Sequence, residues 1–100
     1  MINHQRRRNL IKAPKGFVSD HIIPYSISLD DSKVNLQFLS KEAHKKKTII
    51  DFKIIKEFRE RGWIEKITHY SHELKVPIKR LKGEYLRRYK ELARLGRLDR

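Results

Sequence analysis

One stretch of the chain, residues 20–48, holds the side-chain types that phosphodiester hydrolysis needs; it reads DHIIPYSISLDDSKVNLQFLSKEAHKKKT. The reaction requires a base that takes a proton from water, and positive charge that stabilises the phosphate and the leaving oxygen. A neutral imidazole is such a base near neutral pH, and a carboxylate together with an imidazole can hold a divalent ion. Asp20, His21 and His44 supply that set.

The order of short motifs in this stretch resembles that of the HNH endonucleases. DHIIP, NLQFL and a His followed by KKKT match, in turn, the family patterns DHI-P, N-L-Q and CxxCHxxKT. Asn35 precedes His44 by nine positions, which is the family's usual interval. The resemblance covers about residues 17–48 and implies a ββα-metal motif. Together with the helical pattern after residue 48, it predicts an α+β chain with a helical C-terminal region.

The resemblance also implies a role for each motif residue. Asp20 and His44 correspond to the ligands of one divalent ion, Mg²⁺ first, with Mn²⁺ or another ion as alternatives. His21 corresponds to the general base, and Asn35 to a brace of the loop that holds His21 in line. Taken singly, each residue has an ordinary explanation as a paired, solvated or turn residue, and a degenerate copy of the motif would bind DNA without cutting it.

The chain departs from the family pattern at the positions of the CxxC cysteines. Ser40 and Ala43 stand there, and the chain has no cysteine, so we expect no structural zinc. Helix capping by Ser40 and the helices after residue 48 would stabilise the motif instead. Thr48 takes the place of a further His ligand found in some relatives, so we expect two protein ligands plus water.

Hydrophobic patterning predicts strands at 16–23 and 34–39, a loop at 24–33, and a helix that opens at Ser40. Neighbouring residues in a strand face opposite sides, yet Asp20 and His21 must serve one site. We therefore expect the chain to leave regular strand geometry there.

The residues after the motif show helical patterning. Apolar residues recur on one face as far as Gly62, which predicts the end of a helix. Thr48 and Asp51 resemble a capping box, so residues 41–61 form either one helix or two. Further helices are predicted at about 63–75 and at 78–95, the second closed by Gly96.

Residues 65–92 have a weak helix-turn-helix pattern, in which Lys79 and Arg80 lie on the helix that would enter the major groove. The apolar stripe on that helix also suits core packing or a homodimer seam. We rank core packing first, accessory DNA contact second and dimerisation third. A single ββα site cuts one strand, so a monomer would nick DNA and a symmetric dimer would cut both strands.

The charge balance indicates a polyanionic partner. Lys and Arg number 25 against 12 Asp and Glu, a formal net charge of +13, which favours double-stranded DNA over a membrane surface. No apolar run approaches the roughly 20 residues of a membrane span, and MINHQRRRN lacks a signal-peptide stretch, so we expect an intracellular, cytoplasmic protein. Candidate phosphate contacts are Lys45, Lys46, Lys47, Arg6, Arg7, Arg8, Lys79 and Arg80.

These observations predict three segments: a basic arm at 1–15, the nuclease motif at 16–48, and a helical region at 49–100 that packs on it. The arm is either a solvated tail or a phosphate clamp. The leading hypothesis is a metal-dependent endonuclease that cleaves DNA. The alternative is a non-catalytic basic DNA-binding protein with a helix-turn-helix-like C-terminal region. A small RNA-binding protein explains the charge but not the ordered motif.

Overall fold

The computed structural model describes residues 12–65 and 74–98, so Arg6, Arg7 and Arg8 lie outside the described residues. Within those ranges two strands and three helices follow one another along the chain. They are β1 (Phe17–His21), α1 (Tyr25–Ser28), β2 (Leu36–Ser40), α2 (Lys41–Glu60) and α3 (Ile78–Leu98). The predicted α+β class, with two strands preceding a helix, is confirmed.

The two strands form an antiparallel hairpin in which Asp20 lies opposite Gln37 and His21 lies opposite Leu36. Side chains opposite each other in such a pair share a face, so Asp20 and Gln37 lie on one face and His21 on the other. The expectation that the chain leaves regular strand geometry here is wrong, because both residues keep their register with β2. His21 ends its strand, so the two side chains flank the same end of the hairpin.

Both strands are shorter at the loop end than predicted, because the loop has structure of its own. Residues 24–33, predicted as loop, contain the single turn of α1. A 3₁₀ turn at Lys33–Asn35 precedes β2, which therefore begins at Leu36. Val34, which the sequence predicts to lie in the strand, belongs to that turn and is 82% exposed.

The helix after the hairpin begins and ends where the sequence predicts. The side-chain oxygen of Ser40 accepts a hydrogen bond from the backbone N–H of Ala43 at 3.1 Å, which caps the first turn. Gly62 follows the last turn with a φ of +76°, a conformation that glycine adopts without steric cost. α2 runs unbroken through Thr48 and Asp51, so these two residues do not form a capping box.

Residues 63–65 and 74–75 are not helical, although the sequence predicts a helix over 63–75. Ile64 and Leu74 form an antiparallel bridge, and the N–H of Lys75 donates to the carbonyl of Trp63 at 2.7 Å. Extended pairing at both ends is incompatible with one continuous helix over 63–75, and residues 66–73 lie outside the described residues. The first helix of the predicted helix-turn-helix falls mostly on residues 66–73 and so lies outside the described residues. α3 continues past Gly96 to Leu98.

The core lies where the three helices meet the loop that follows β1. It is built from aliphatic and aromatic side chains of both the motif and the helical region: Ile23, Ile27, Ile54, Phe58, Ile64, Leu81 and Tyr85. Leu81 and Tyr85 are 0% and 2% exposed, so the apolar stripe of α3 packs in the core. None of the helices in the described ranges is long and apolar enough to cross a bilayer.

An ion pair on the surface ties α2 to α3. Arg88 donates from Nε to Glu57 Oε1 at 2.8 Å and from Nη2 to Oε2 at 2.7 Å, a bidentate arrangement. The Arg88 guanidinium lowers the pKa of Glu57 below its ordinary value. Arg87, by contrast, pairs with Glu84 and Glu91 of its own helix. Of these two adjacent arginines, Arg88 is therefore the one that joins two helices.

We expect Arg88→Met to lower the free energy of unfolding by about 1 kcal/mol more than Arg87→Met, because the bidentate pair between two packed helices is removed. Arg87→Met is a matched control, since it removes the same group from the adjacent position and breaks only pairs within α3. Denaturant unfolding of both variants measures the difference. Equal losses of stability would show that the pair does not hold α3 on α2.

The difference between these two variants should also depend on pH. A carboxylate whose pKa is lowered in the folded state contributes stability that is present above its unfolded pKa and is lost as pH falls through the folded value. Glu57 has such a lowered pKa. The difference in free energy of unfolding between Arg88→Met and Arg87→Met should therefore be largest at neutral pH. It should disappear in acid, at pH values below the ordinary pKa range of a glutamate.

Candidate active site

Asp20 and His44 meet between β1 and α2. The carboxylate belongs to the strand, the imidazole to the first turns of the helix, and Asp20 Oδ1 lies 3.6 Å from His44 Nε2. Two donors bound at right angles to one ion, each at about 2.1 Å, are about 3 Å apart. The observed pair is slightly wider, which lies within joint reach of one divalent ion. Its donor types, a carboxylate oxygen and an imidazole nitrogen, suit such an ion.

The second oxygen of Asp20 is already engaged. Asp20 Oδ2 accepts from Gln37 Nε2 at 3.0 Å and lies 3.1 Å from Lys47 Nζ. The carboxylate is 10% exposed, whereas the imidazole of His44 is 40% exposed. Asp20 is thus fixed in place with Oδ1 directed towards His44, and it offers an ion one oxygen.

Lys47 is buried, which corrects its prediction as a phosphate contact. Its side chain is 8% exposed and its ammonium donates to the carbonyl of His21 at 2.9 Å and to Asp51 Oδ2 at 2.6 Å, besides pairing with Asp20. The phase of α2 turns this residue inward and leaves Lys45 and Lys46 exposed. A side chain with these three partners has no donor to spare for DNA.

Asp51 connects the buried lysine to α3. Its Oδ1 accepts from the hydroxyl of Tyr85 at 2.6 Å, and the same hydroxyl lies 3.2 Å from the carbonyl of Ile22. Burial raises the pKa of Asp51, although the hydrogen bonds from Lys47 and Tyr85 oppose that rise. Burial and the bond to Asp51 also raise the pKa of Tyr85, so its hydroxyl stays protonated as the donor.

His21 faces the loop between the strands rather than α2. Its Nε2 lies 2.7 Å from Asp31 Oδ1, and the two side chains are 25% and 17% exposed. The ring also contacts that of Tyr25, with 5.8 Å between centroids. The imidazole is therefore held by two residues of the loop while a quarter of its surface is open.

Asn35 is 5% exposed and joins both sides of that loop. Its Oδ1 accepts from the N–H of Ile23 at 2.9 Å, and its Nδ2 donates to the carbonyls of Ile23 and Asp30 at 3.0 and 2.8 Å. Ser28 Oγ lies 3.3 Å from the same nitrogen. Asn35 thus ties the backbone just after His21 to the backbone at Asp30.

Sequence reasoning misses three residues of this arrangement. The sequence places Asp31 in a loop without a role, because its contact with His21 depends on the path of the loop. Asp51 resembles part of a cap, although its spacing of four from Lys47 is the spacing of neighbours on one helix. Tyr85 belongs to the apolar stripe of α3, and its position in the sequence does not indicate that its hydroxyl donates to Asp51.

The two sequence-predicted basic residues of α3 are exposed, but one of them is engaged. Arg80 lies over the ring of Trp63, with 5.1 Å from its Cζ to the ring centroid, and Arg61 contacts the same ring at 5.0 Å. Lys79 is exposed on the first turn of the helix. In residues 12–65 and 74–98 no group of three or more His, Asp or Glu side chains lies close enough together to hold a metal ion.

Residues 7–49 match the family model of the HNH endonucleases. The predicted HNH resemblance is confirmed. The matched residues, here called the HNH segment, include all four motif positions and end within α2. An HNH segment indicates a nuclease. Comparisons with curated proteins and with solved structures gave no match.

We expect Lys47→Met to lower the free energy of unfolding by about 3–5 kcal/mol, because it leaves the buried carboxylates of Asp20 and Asp51 without a cation. Lys46→Met is the matched control: it removes the same charge from the adjacent, exposed position and should change stability by less than about 0.5 kcal/mol. Denaturant unfolding measures both. A Lys47 variant as stable as the Lys46 variant would contradict the buried network.

Proposed function

We propose that the chain is a metal-dependent endonuclease that hydrolyses phosphodiester bonds of double-stranded DNA. The observation that carries the proposal is the approach of Asp20 Oδ1 to His44 Nε2, 3.6 Å, at the end of the strand that also carries His21. A carboxylate and an imidazole within reach of one ion, with a second imidazole at the same end of the hairpin, are the groups that hydrolysis needs.

The roles are those that the motif implies. His21 takes the proton of the attacking water; its ring is partly exposed and lies at the same end of the hairpin as Asp20. Asp20 and His44 hold the ion, which when bound stabilises charge on the phosphate and the leaving oxygen. One carboxylate oxygen and one imidazole leave most coordination positions to water and phosphate, which suits Mg²⁺ first and Mn²⁺ as an alternative.

The charges around the candidate site also suit a divalent ion. Asp20 and Asp51 both contact Lys47, and all three groups are buried or nearly so. The hydrogen bonds from Lys47 and Tyr85 favour the ionised form of Asp51, against the effect of its burial. With both carboxylates ionised, this buried group has one more negative than positive charge, which favours a cation at Asp20.

Exposed lysines beside His44 support DNA as the substrate. Lys45 and Lys46 follow His44 directly on α2 and are exposed to solvent. Together with the net charge of +13 they provide contacts for the phosphates on either side of the scissile bond.

We expect the purified chain to nick supercoiled plasmid DNA in the presence of Mg²⁺ or Mn²⁺ and to stop when a chelator is added. His21→Ala should lower the nicking rate by about 100-fold or more, because water then loses its base, while DNA binding measured in chelator stays at the parental level. Val34→Ala, an exposed change beside the motif asparagine, is the control. Asp20→Asn should also abolish nicking.

Two results would contradict this. A His21 variant that cuts as fast as the parent would remove His21 as the base. Binding without nicking under every divalent ion would indicate a non-catalytic DNA-binding module instead. The product adds further information, since nicked circles indicate action on one strand and linear plasmid indicates a paired cut.

We expect the double variant Lys45→Ala, Lys46→Ala to bind DNA more weakly. The slope of log affinity against log salt should become shallower by about 2, because each lysine that no longer meets a phosphate lowers the slope by about one unit. Lys53→Ala, Lys56→Ala removes the same charge from exposed positions further along α2 and is the matched control. Salt titrations in chelator measure both slopes. Equal slopes for the two double variants would exclude a special role for the lysines beside His44.

A further inference from the structure

We propose that Asp31 is a positioning residue for His21: its carboxylate holds the proton on Nε2, so that Nδ1 is the nitrogen that receives a proton from water. The proposal rests on the proposed function, in which His21 is the base. It concerns a residue outside the Asp-His, Asn and His motif positions and explains how a loop carboxylate takes part in the site.

The contact between the two side chains is short and tertiary. His21 Nε2 and Asp31 Oδ1 are 2.7 Å apart, the length of a charge-assisted hydrogen bond, although ten residues separate them in the chain. Asp31 is 17% exposed, so water covers little of the carboxylate. The side chains of a surface ion pair with two mobile partners would be more exposed to solvent than those of His21 and Asp31.

The chemistry of the acceptor decides which nitrogen carries the proton. An ionised carboxylate has acceptors only, so a hydrogen bond between it and a neutral imidazole requires the proton on the imidazole nitrogen. That nitrogen is Nε2. The lone pair of the neutral ring is then on Nδ1, which makes Nδ1 the basic atom. Without the carboxylate both tautomers are available, and only one of them presents Nδ1 as a base.

The loop around Asp31 is fixed on both sides. On one side the N–H of Asp30 donates to Ser28 Oγ at 3.1 Å, and Asn35 Nδ2 donates to the carbonyl of Asp30 at 2.8 Å. On the other side the N–H and hydroxyl of Ser32 donate to Asp30 Oδ1 at 2.9 and 2.6 Å. The backbone at 30–32 therefore has little freedom, and Asp31 meets the ring in a set position.

Through this loop, the buried Asn35 influences the position of the His21 imidazole without contacting it. Asn35 fixes the carbonyl of Asp30, the residue that precedes Asp31. A side chain that fixes a loop, and a loop that presents a carboxylate, together orient one imidazole. The ring of Tyr25 adds a further contact with the imidazole.

The test compares Asp31→Asn with Asp30→Asn. Both variants remove one negative charge from the same loop, but only Asp31 is bonded to His21, and an amide at position 30 can still accept from Ser32. The nitrogen NMR shifts of the His21 imidazole report its tautomer, at a pH where the ring is neutral. A plasmid-nicking assay reports the rate, and thermal unfolding and DNA binding in chelator report the fold.

We expect the parent and Asp30→Asn to show His21 with the proton on Nε2. In Asp31→Asn the amide can donate to Nε2, so the ring should shift towards the Nδ1–H tautomer and the nicking rate should fall by about 10–100-fold. DNA binding should be unchanged. Asp31→Ala is the second variant: it removes the partner without offering a donor and should give a mixture of tautomers and a smaller loss of rate.

The outcomes separate this inference from the proposed function. If the parent nicks and His21→Ala does not, but Asp31→Asn nicks at the parental rate, the positioning role is overturned and the proposed function stands. If the His21 tautomer shifts in Asp31→Asn but the nicking rate does not fall, the positioning role of Asp31 is also overturned. If the parent nicks DNA with none of the metal ions tested, the proposed function fails, and an unchanged tautomer in Asp31→Asn and Asp31→Ala would then overturn this inference as well.

Discussion

The structure depends on one buried ammonium group. Moving an ammonium from water into a protein costs several kcal/mol unless partners surround it, and Lys47 has three: the carboxylates of Asp20 and Asp51 and the carbonyl of His21. These partners come from the end of β1 and from the next turn of α2. The strand and the helix must therefore approach each other closely at this point, which is the point where Asp20 meets His44. The cost of burying the charge is offset only in the geometry that also assembles the candidate site.

The HNH segment is incomplete without the chain that follows it. Asp51 lies just beyond the matched residues, and its second oxygen is satisfied by Tyr85 of α3. The same tyrosine is part of the core, together with Leu81. This chain has Ser40 as a helix cap and a long third helix packed on the motif. The HNH segment is thus stabilised by burial of apolar surface and by a polar chain of Asp20, Lys47, Asp51 and Tyr85.

The sequence predicts the parts of the fold that depend on local rules. The hairpin before the helix, the cap at Ser40 and the stop at Gly62 follow from strand patterning, a side-chain acceptor and a left-handed glycine, each readable within a few residues. The features that the sequence does not reveal depend on tertiary position. The inward turn of Lys47 needs the phase of one unbroken α2, whereas Thr48 with Asp51 suggests a second start. The contact of Asp31 with His21 needs the path of a loop, and the extended residues around Ile64 need a partner strand. In these cases local propensity is overridden by partners distant in the chain.

The bridge between Ile64 and Leu74 has a consequence for how this chain can vary. The bridge and the bond from Lys75 to Trp63 join the two ends of the intervening stretch through backbone groups, which almost any residue can supply. The segment that leaves α2 and the segment that enters α3 are thereby joined by main-chain bonds, which do not depend on side-chain identity. The relative position of the two long helices therefore has a support that most substitutions leave intact. Proline at position 75 is an exception, because it lacks the N–H that Lys75 donates to Trp63.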